Sequence, residues 1–273
     1  MKKNIIDRIL VILFIVGFLI FIYPIASNYI AKISQIREID NYLDLIAKMD
    51  SKEYKQLLEE AKQYNEKIFT GYTNEDIVVN GKKYNDLLKV GNSNLLGYME
   101  IDSIKMRIPI YHGTTKASLT AGAGHWEDSS FPIGGESTHA IVFGHRGLPS
   151  AELFTDLDSV KKNEIIRIHI LNEELYYRIT EIYTVKPDEL KPYLRIEEGK
   201  DLVTLITCTP YGVNSHRLII RGERTDSEEF DTDSVDANAK QLKPLNVVRV
   251  IILPIILVSL LIAIITRQKK PKK

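Results

Sequence analysis

The one cysteine of the chain, Cys208, closes the run Thr204-Leu205-Ile206-Thr207-Cys208, and Arg217 follows in Ser215-His216-Arg217-Leu218. Residues 201–207 alternate aliphatic and β-branched types, Pro210, Gly212 and Asn214 interrupt them, and Leu218-Ile219-Ile220 resumes an apolar run. The pattern predicts a hairpin with a wide loop, in which Cys208 and Arg217 stand across from each other. Opposed positions on paired strands bring Cβ atoms to about 4.5–5.5 Å, so a guanidinium at 217 can reach an oxygen developing on a carbonyl bound to the sulfur. That is the chemistry of acyl transfer. A free cysteine also packs as a small core hydrophobe, in which case Arg217 is a surface cation. Phe143-Gly144-His145-Arg146-Gly147 weighs against the second reading. There an apolar run ends in glycine and presents a histidine able to act as acid or base. A thiol with an ordinary pKa of about 8.5 needs such a partner, and the amine leaving an amide needs a proton.

The other histidines form no pattern of that kind. His112, His125, His139, His169 and His216 lack metal-ligand spacing with carboxylates or a second cysteine, so no metal and no cofactor is expected. His216 competes with His145 for the role of base, being close to Cys208 through the hairpin. As the strand neighbour of Arg217, however, its side chain must point to the opposite face. Trp126, Phe131, Tyr177 and Tyr211 are candidates for an apolar groove, with core packing the competing role for each. Ser129 and Ser130 have no Gly-X-Ser-X-Gly context and read as turn residues.

Together these segments resemble the sortases, and closely the class C sortases, the pilin polymerases of Gram-positive bacteria. The family signature Thr-Leu-X-Thr-Cys is matched by 204–208, Thr-Pro-Tyr-Gly by 209–212 and Asn-(Ser/Thr)-His-Arg-Leu by 214–218. Pro109-Ile110-Tyr111-His112-Gly113-Thr114, Gly122-Ala123-Gly124-His125, Pro132-Ile133-Gly134-Gly135 and Gly144-His145-Arg146-Gly147-Leu148-Pro149 are similar to class C segments as well, so that the resemblance runs from Leu95 to Arg224. By matching position it implies Cys208 as nucleophile, His145 as general acid and base, and Arg217 as the residue that stabilises the oxyanion. One departure stands out. Class C enzymes commonly carry a lid with an Asp-Pro-aromatic motif, and Lys67 to Lys89 contains no Asp-Pro; Phe69-Thr70-Gly71-Tyr72 and Asn74-Glu75-Asp76 offer aromatics and acids without it, and Asp76 is one carboxylate that could pair with Arg217.

Composition agrees. Lysine plus arginine and aspartate plus glutamate are both 36 in 273 residues, so no net field favours nucleic acid. Ile9 to Ile22 is apolar, follows Lys2, Lys3 and Arg8, and continues through Tyr23-Pro24-Ile25-Ala26, close to the roughly 20 residues of a bilayer span. It reads as a signal anchor, since the cleavage pattern of a removable signal peptide is poor near Pro24 to Asn28. Val250 to Ile265 is a second apolar run, followed by Arg267-Gln268-Lys269-Lys270-Pro271-Lys272-Lys273. Positive residues stay on the cytoplasmic side, so both termini are expected inside and the rest outside.

The predicted organisation is a cytoplasmic N-terminus (1–8), a transmembrane anchor (9–26), a helical stalk with a possible lid region (27–94), a catalytic β-domain (95–224), an acidic linker (225–246), a second transmembrane helix (247–266) and a basic cytoplasmic tail (267–273). Ile30, Ile33, Ile36, Ile39, Leu43 and Ile46 recur at helical spacing, and Asp50-Ser51 offers a cap for a second helix running to about Phe69. Strand-like runs follow at 96–101, 106–111, 140–143, 164–170, 175–185, 202–207 and 218–221, with a short helix expected at 150–157. The fold class is therefore mainly β, a closed or nearly closed barrel. The resemblance makes it an eight-stranded sortase barrel with short helices, an N-terminal helical region and two transmembrane helices.

As the resemblance implies, the enzyme cleaves an LPXTG-like sorting signal between Thr and Gly through a Cys208 thioester and passes the acyl group to a lysine amine of a pilin. Its partners would be pilins or other surface proteins bearing such signals, the membrane and, for a sortase that anchors proteins to the wall instead, the cell-wall precursor. A non-catalytic two-span scaffold, with Cys208 as core filler, is the reading from another class.

Overall fold

A computed structural model describes residues 2–226. The predicted second span, the basic tail and the linker beyond Asp226 lie outside the described residues. Among those described, one compact unit holds residues up to Ile33 with 149–151, and the other holds residues 34–148 and 152–226.

The first unit is built on helix α1 (Lys2–Ala47), which runs on past residue 33. Its stretch Ile9–Ala47 is long and apolar enough to cross a membrane, with an 18-residue window of mean hydropathy 3.0 and none of that window buried. The helix continues through Pro24, so the apolar segment and the periodic stalk predicted after it form one element rather than two.

In the second unit, Ile39, Tyr42 and Ile46 of α1 are buried at helical spacing. Tyr42 Oη donates to Leu96 O and accepts from Leu171 N, both at 2.7 Å. Helix α2 (Ser51–Phe69) starts at the predicted cap: Asp50 Oδ1 accepts from the backbone N–H groups of Lys52 and Glu53, each at 2.8 Å. Leu57, Ala61, Tyr64 and Ile68 make its buried stripe. Burying an aliphatic side chain of this size stabilises by about 1.5–3 kcal/mol. The same face is fixed by directed bonds, for Asn65 accepts from Phe131 N at 2.7 Å and donates to Phe131 O at 3.1 Å.

Eight strands close a barrel. In chain order they are β1 (Leu95–Ile101), β2 (Met106–His112), β3 (Ala123–His125), β4 (Thr138–Phe143), β5 (Ile165–Ile170), β6 (Glu173–Val185), β7 (Asp201–Thr209) and β8 (His216–Thr225). Around the barrel they run β1-β2-β3-β4-β7-β8-β6-β5. Two neighbouring pairs are parallel, β2 with β3 and β4 with β7. β4 and β7 are buried over most of their length because parallel strands are covered on both faces, whereas β5 alternates buried and half-buried positions.

Seven strands fall on the predicted runs. β3 does not, being three residues long and without alternation. It pairs with β4 only at Gly124–Phe143 and His125–Val142. Beyond it Ser129 and Ser130 supply what a longer strand would: their Oγ atoms accept from the N–H groups of Ile141 and His139, each at 3.1 Å. These two serines are therefore buried partners of β4 as well as turn residues. The helix expected at 150–157 does not form. Leu157–Ser159 makes a single 3-10 turn, and Phe154 N donates to His145 O at 3.1 Å instead of to a helical carbonyl.

Candidate active site

Two features of the barrel bring the predicted site residues into one row. In the antiparallel pair β7–β8, Cys208 is opposite Arg217, as the hairpin spacing implies. In the parallel pair β4–β7, Phe143 is opposite Ile206. Two residues beyond that pair lie His145 on one chain and Cys208 on the other. The chains stay together past the end of β4, because Gly144 N donates to Ile206 O at 3.1 Å and the buried Thr207 Oγ1 donates to Gly144 O at 2.7 Å. His145, Cys208 and Arg217 thus occupy adjacent chains, which in a sheet are ~4.8 Å apart. All three are half-buried, and the thiol is free.

The hydrogen bonds of Arg217 constrain what it can do. Nη1 donates to Asn214 O at 3.3 Å and to His216 O at 3.1 Å, which holds the guanidinium at the mouth of the β7–β8 loop. Nε and Nη2 have no acceptor among the described residues, so directed donors remain for an external oxygen. His216 pairs with Thr209, one step along the ladder from the Cys208–Arg217 pair, and its side chain therefore belongs to the other face. There Nδ1 meets Ser215 Oγ at 2.9 Å.

Of the remaining histidines, His125 and His139 are structural. His125 Nδ1 meets Tyr84 Oη and Nε2 meets Ser130 O, both at 2.8 Å. Burial pushes its pKa down to about 3. His139 Nδ1 meets Arg195 O at 2.8 Å and Nε2 meets Thr204 Oγ1 at 2.7 Å, and burial takes it down to about 4. In both rings the nitrogen facing a carbonyl donates and the one facing a hydroxyl accepts, which satisfies the neutral form.

The candidate groove residues do not assemble. Phe131 and Tyr177 are core side chains, Trp126 is half-buried, and Tyr211 is exposed on the β7–β8 loop beside Gly147. The stretch in the place of a lid packs elsewhere. Tyr84 stacks on Phe131 with centroids 5.1 Å apart, while Phe69 and Tyr72 face solvent. Asp76 accepts from Thr73 Oγ1 at 2.8 Å, and no Asp76–Arg217 ion pair forms among the described residues.

A thiol at a strand end, a histidine on the next chain and an arginine with unused donors can form and resolve an acyl-enzyme. Comparison with known proteins agrees. The sortase domain family matches residues 99–225. Sortase C1 from Streptococcus agalactiae is 44% identical with a TM-score of 0.65, over 70% of this chain and 98% of that one. Streptococcus pneumoniae sortase C, studied for its pilin substrate specificity, is 39% identical with a TM-score of 0.62, over 70% and 97%. Clostridium perfringens sortase C, whose X-ray structure was solved with the C-terminal cell wall sorting motif, is 38% identical with a TM-score of 0.61, over 70% and 99%. The chain belongs to the sortase family of cysteine transpeptidases, and within it to class C.

Proposed function

We propose that the chain polymerises pilins: it cleaves an LPXTG-like sorting signal between Thr and Gly and transfers the threonyl carbonyl to a lysine amine of another pilin subunit. The observation that carries the chemistry is the row His145–Cys208–Arg217 across three neighbouring chains. The Cys208 thiolate attacks the threonine carbonyl, and the oxygen that takes the negative charge is held by the unused donors of Arg217. The Thr–Gly C–N bond breaks as His145, protonated, gives its proton to the departing glycine amine. A thioester remains on Sγ. A lysine amine then attacks it, His145 takes the proton, the thiolate leaves and an isopeptide bond results. Pilin as the partner is supported by the Streptococcus pneumoniae enzyme.

Cys208→Ala is expected to abolish both cleavage of a sorting-signal peptide and polymer formation, with the circular dichroism spectrum unchanged. Turnover near the parental level would overturn the assignment. Mass spectrometry of the product separates a pilin lysine acceptor from a cell-wall amine.

The membrane arrangement belongs to the same reading: α1 anchors the protein, residues 247–266 cross again, and both ends are cytoplasmic. Cysteines introduced at Lys3 and Lys272 are then expected to resist a membrane-impermeant thiol reagent in intact cells, with one at Ser234 reacting. Labelling at Lys272 would overturn the second span.

A further inference from the structure

The two threonines that flank Cys208 are each tied to a residue that flanks His145. Thr207 Oγ1 donates to Gly144 O at 2.7 Å, and Arg146 Nη1 donates to Thr209 Oγ1 at 2.9 Å. Strand β4 ends at Phe143, and the last backbone bond across to β7 is that of Gly144 N. Past this point no ladder holds the His145 turn. The two side-chain bonds take its place, one on either side of the Cys208 position.

Arg146 is fixed at its other end too. Nε donates to Thr155 O at 3.1 Å, and Nη2 is hydrogen-bonded and ion-paired to Asp158. Its side chain is 6% exposed, against 49% for Asp158. A guanidinium taken that far out of water needs its donors filled, and here each of its three nitrogens points at a different oxygen. The result is a strut from the turn at 155–158, through the residue after His145, to the residue after Cys208.

We propose that Arg146 is a positioning residue: with Thr209 it sets the His145 turn against the Cys208 strand, so that the imidazole stands where the leaving amine needs its proton. The role rests on the assignment of Cys208 and His145 given above. Arg146 need not touch the reacting atoms. Catalytic groups must be held to within about 0.5 Å of productive geometry, and a misplacement of about 1 Å can cost roughly 10²-fold in rate. Lysine at 146 keeps the charge but cannot reach three oxygens in three directions.

The test is single-turnover thioester formation by the full chain in detergent, with a sorting-signal peptide, for Arg146→Lys, Thr209→Val, Thr209→Ser and the double variant Arg146→Lys/Thr209→Val. Arg146→Lys is expected to lose on the order of 10²-fold in acylation rate at saturating peptide, with the half-saturating peptide concentration within about twofold of the parent. Thr209→Val loses a similar factor, Thr209→Ser restores most of it, and the double variant is no worse than the poorer single one because both act through one bond. Alkylation of Cys208 by iodoacetamide at about pH 10, well above the ordinary thiol pKa, needs neither a general acid nor His145 to form the thiolate and keeps its parental rate. Acylation by Thr209→Val at the parental rate, losses that multiply in the double variant, or a loss seated in peptide binding or in alkylation would each overturn the proposal. Should Arg146→Lys fail to fold, the contrast between Thr209→Val and Thr209→Ser decides alone. A parent that acylates while Thr209→Val does so equally well overturns only the strut; a parent that forms no thioester overturns the assignment of the site and the strut with it.

Discussion

Cys208 has Arg217 directly across the hairpin, and two backbone carbonyls hold one nitrogen of that guanidinium. On the proposed reading, the anchoring and the oxyanion contact fall to different nitrogens of one side chain. Lysine carries its three donors on one compact nitrogen and does not reproduce the spread of the guanidinium fork. Arg217→Lys is therefore expected to lose about 10²–10³ in the acylation rate, equivalent to the roughly 2.7–4 kcal/mol of one oxyanion donor, with peptide binding little changed. Rapid-quench measurement of the thioester checks this, alongside Arg217→Ala and circular dichroism. Parental acylation by Arg217→Lys would mean that charge alone is used; parental acylation by Arg217→Ala would remove the residue from the site.

At the scale of elements, the site depends on how β4 ends. Gly144 turns the chain from the strand into His145, and a Cβ there would lie 2.4–2.7 Å from the ring of Phe154. That ring is fully buried, and Phe154 N is bonded to His145 O, so the ring cannot retreat without moving the histidine. Gly144→Ala is accordingly expected to cost about 1–3 kcal/mol in stability, the usual range for overpacking a core. Acylation should fall by roughly 10²-fold as His145 moves. Thermal unfolding and thioester formation measured on the same preparation check the two effects; an unchanged melting temperature with parental acylation would mean that the Phe154 ring yields.

For the whole molecule, buried histidines make stability depend on pH. His125 and His139 titrate at about 3 and about 4 in the folded chain, against about 6.5 when unfolded. Burial also lowers His112. Between the two limits the unfolded chain binds more protons than the folded one, so stability is complete above about pH 6.5 and is lost as pH falls. The slope reaches about 1.4 kcal/mol per pH unit for each such histidine. The melting temperature of the detergent-solubilised protein is expected to drop steadily from pH 6.5 to pH 5, and less steeply in His125→Gln. A flat profile over that range would show that the folded chain accepts these protons.

What the sequence alone determined lies close together along the chain. The Cys208–Arg217 hairpin, the Asp50 cap of α2, the apolar anchor and seven of the strands follow from periodicity, turn residues and capping chemistry, all of which act over a few residues. The family is legible for the same reason, its signature being packed into 204–218. The tertiary structure decided what depends on partners far apart. β3 has no pattern of its own and exists because β2 and β4 pair with it. His145 reaches the level of Cys208 only through the parallel pairing of β4 with β7. Thr207 is bonded to Gly144, and Arg146 to Thr209, across 63 residues in each case. Nor does a histidine's type tell whether it is buried and neutral or at the site. His125 and His139 are silent because the barrel takes them out of water and fills both of their nitrogens, while His145 stands past the end of a strand, where the ladder stops.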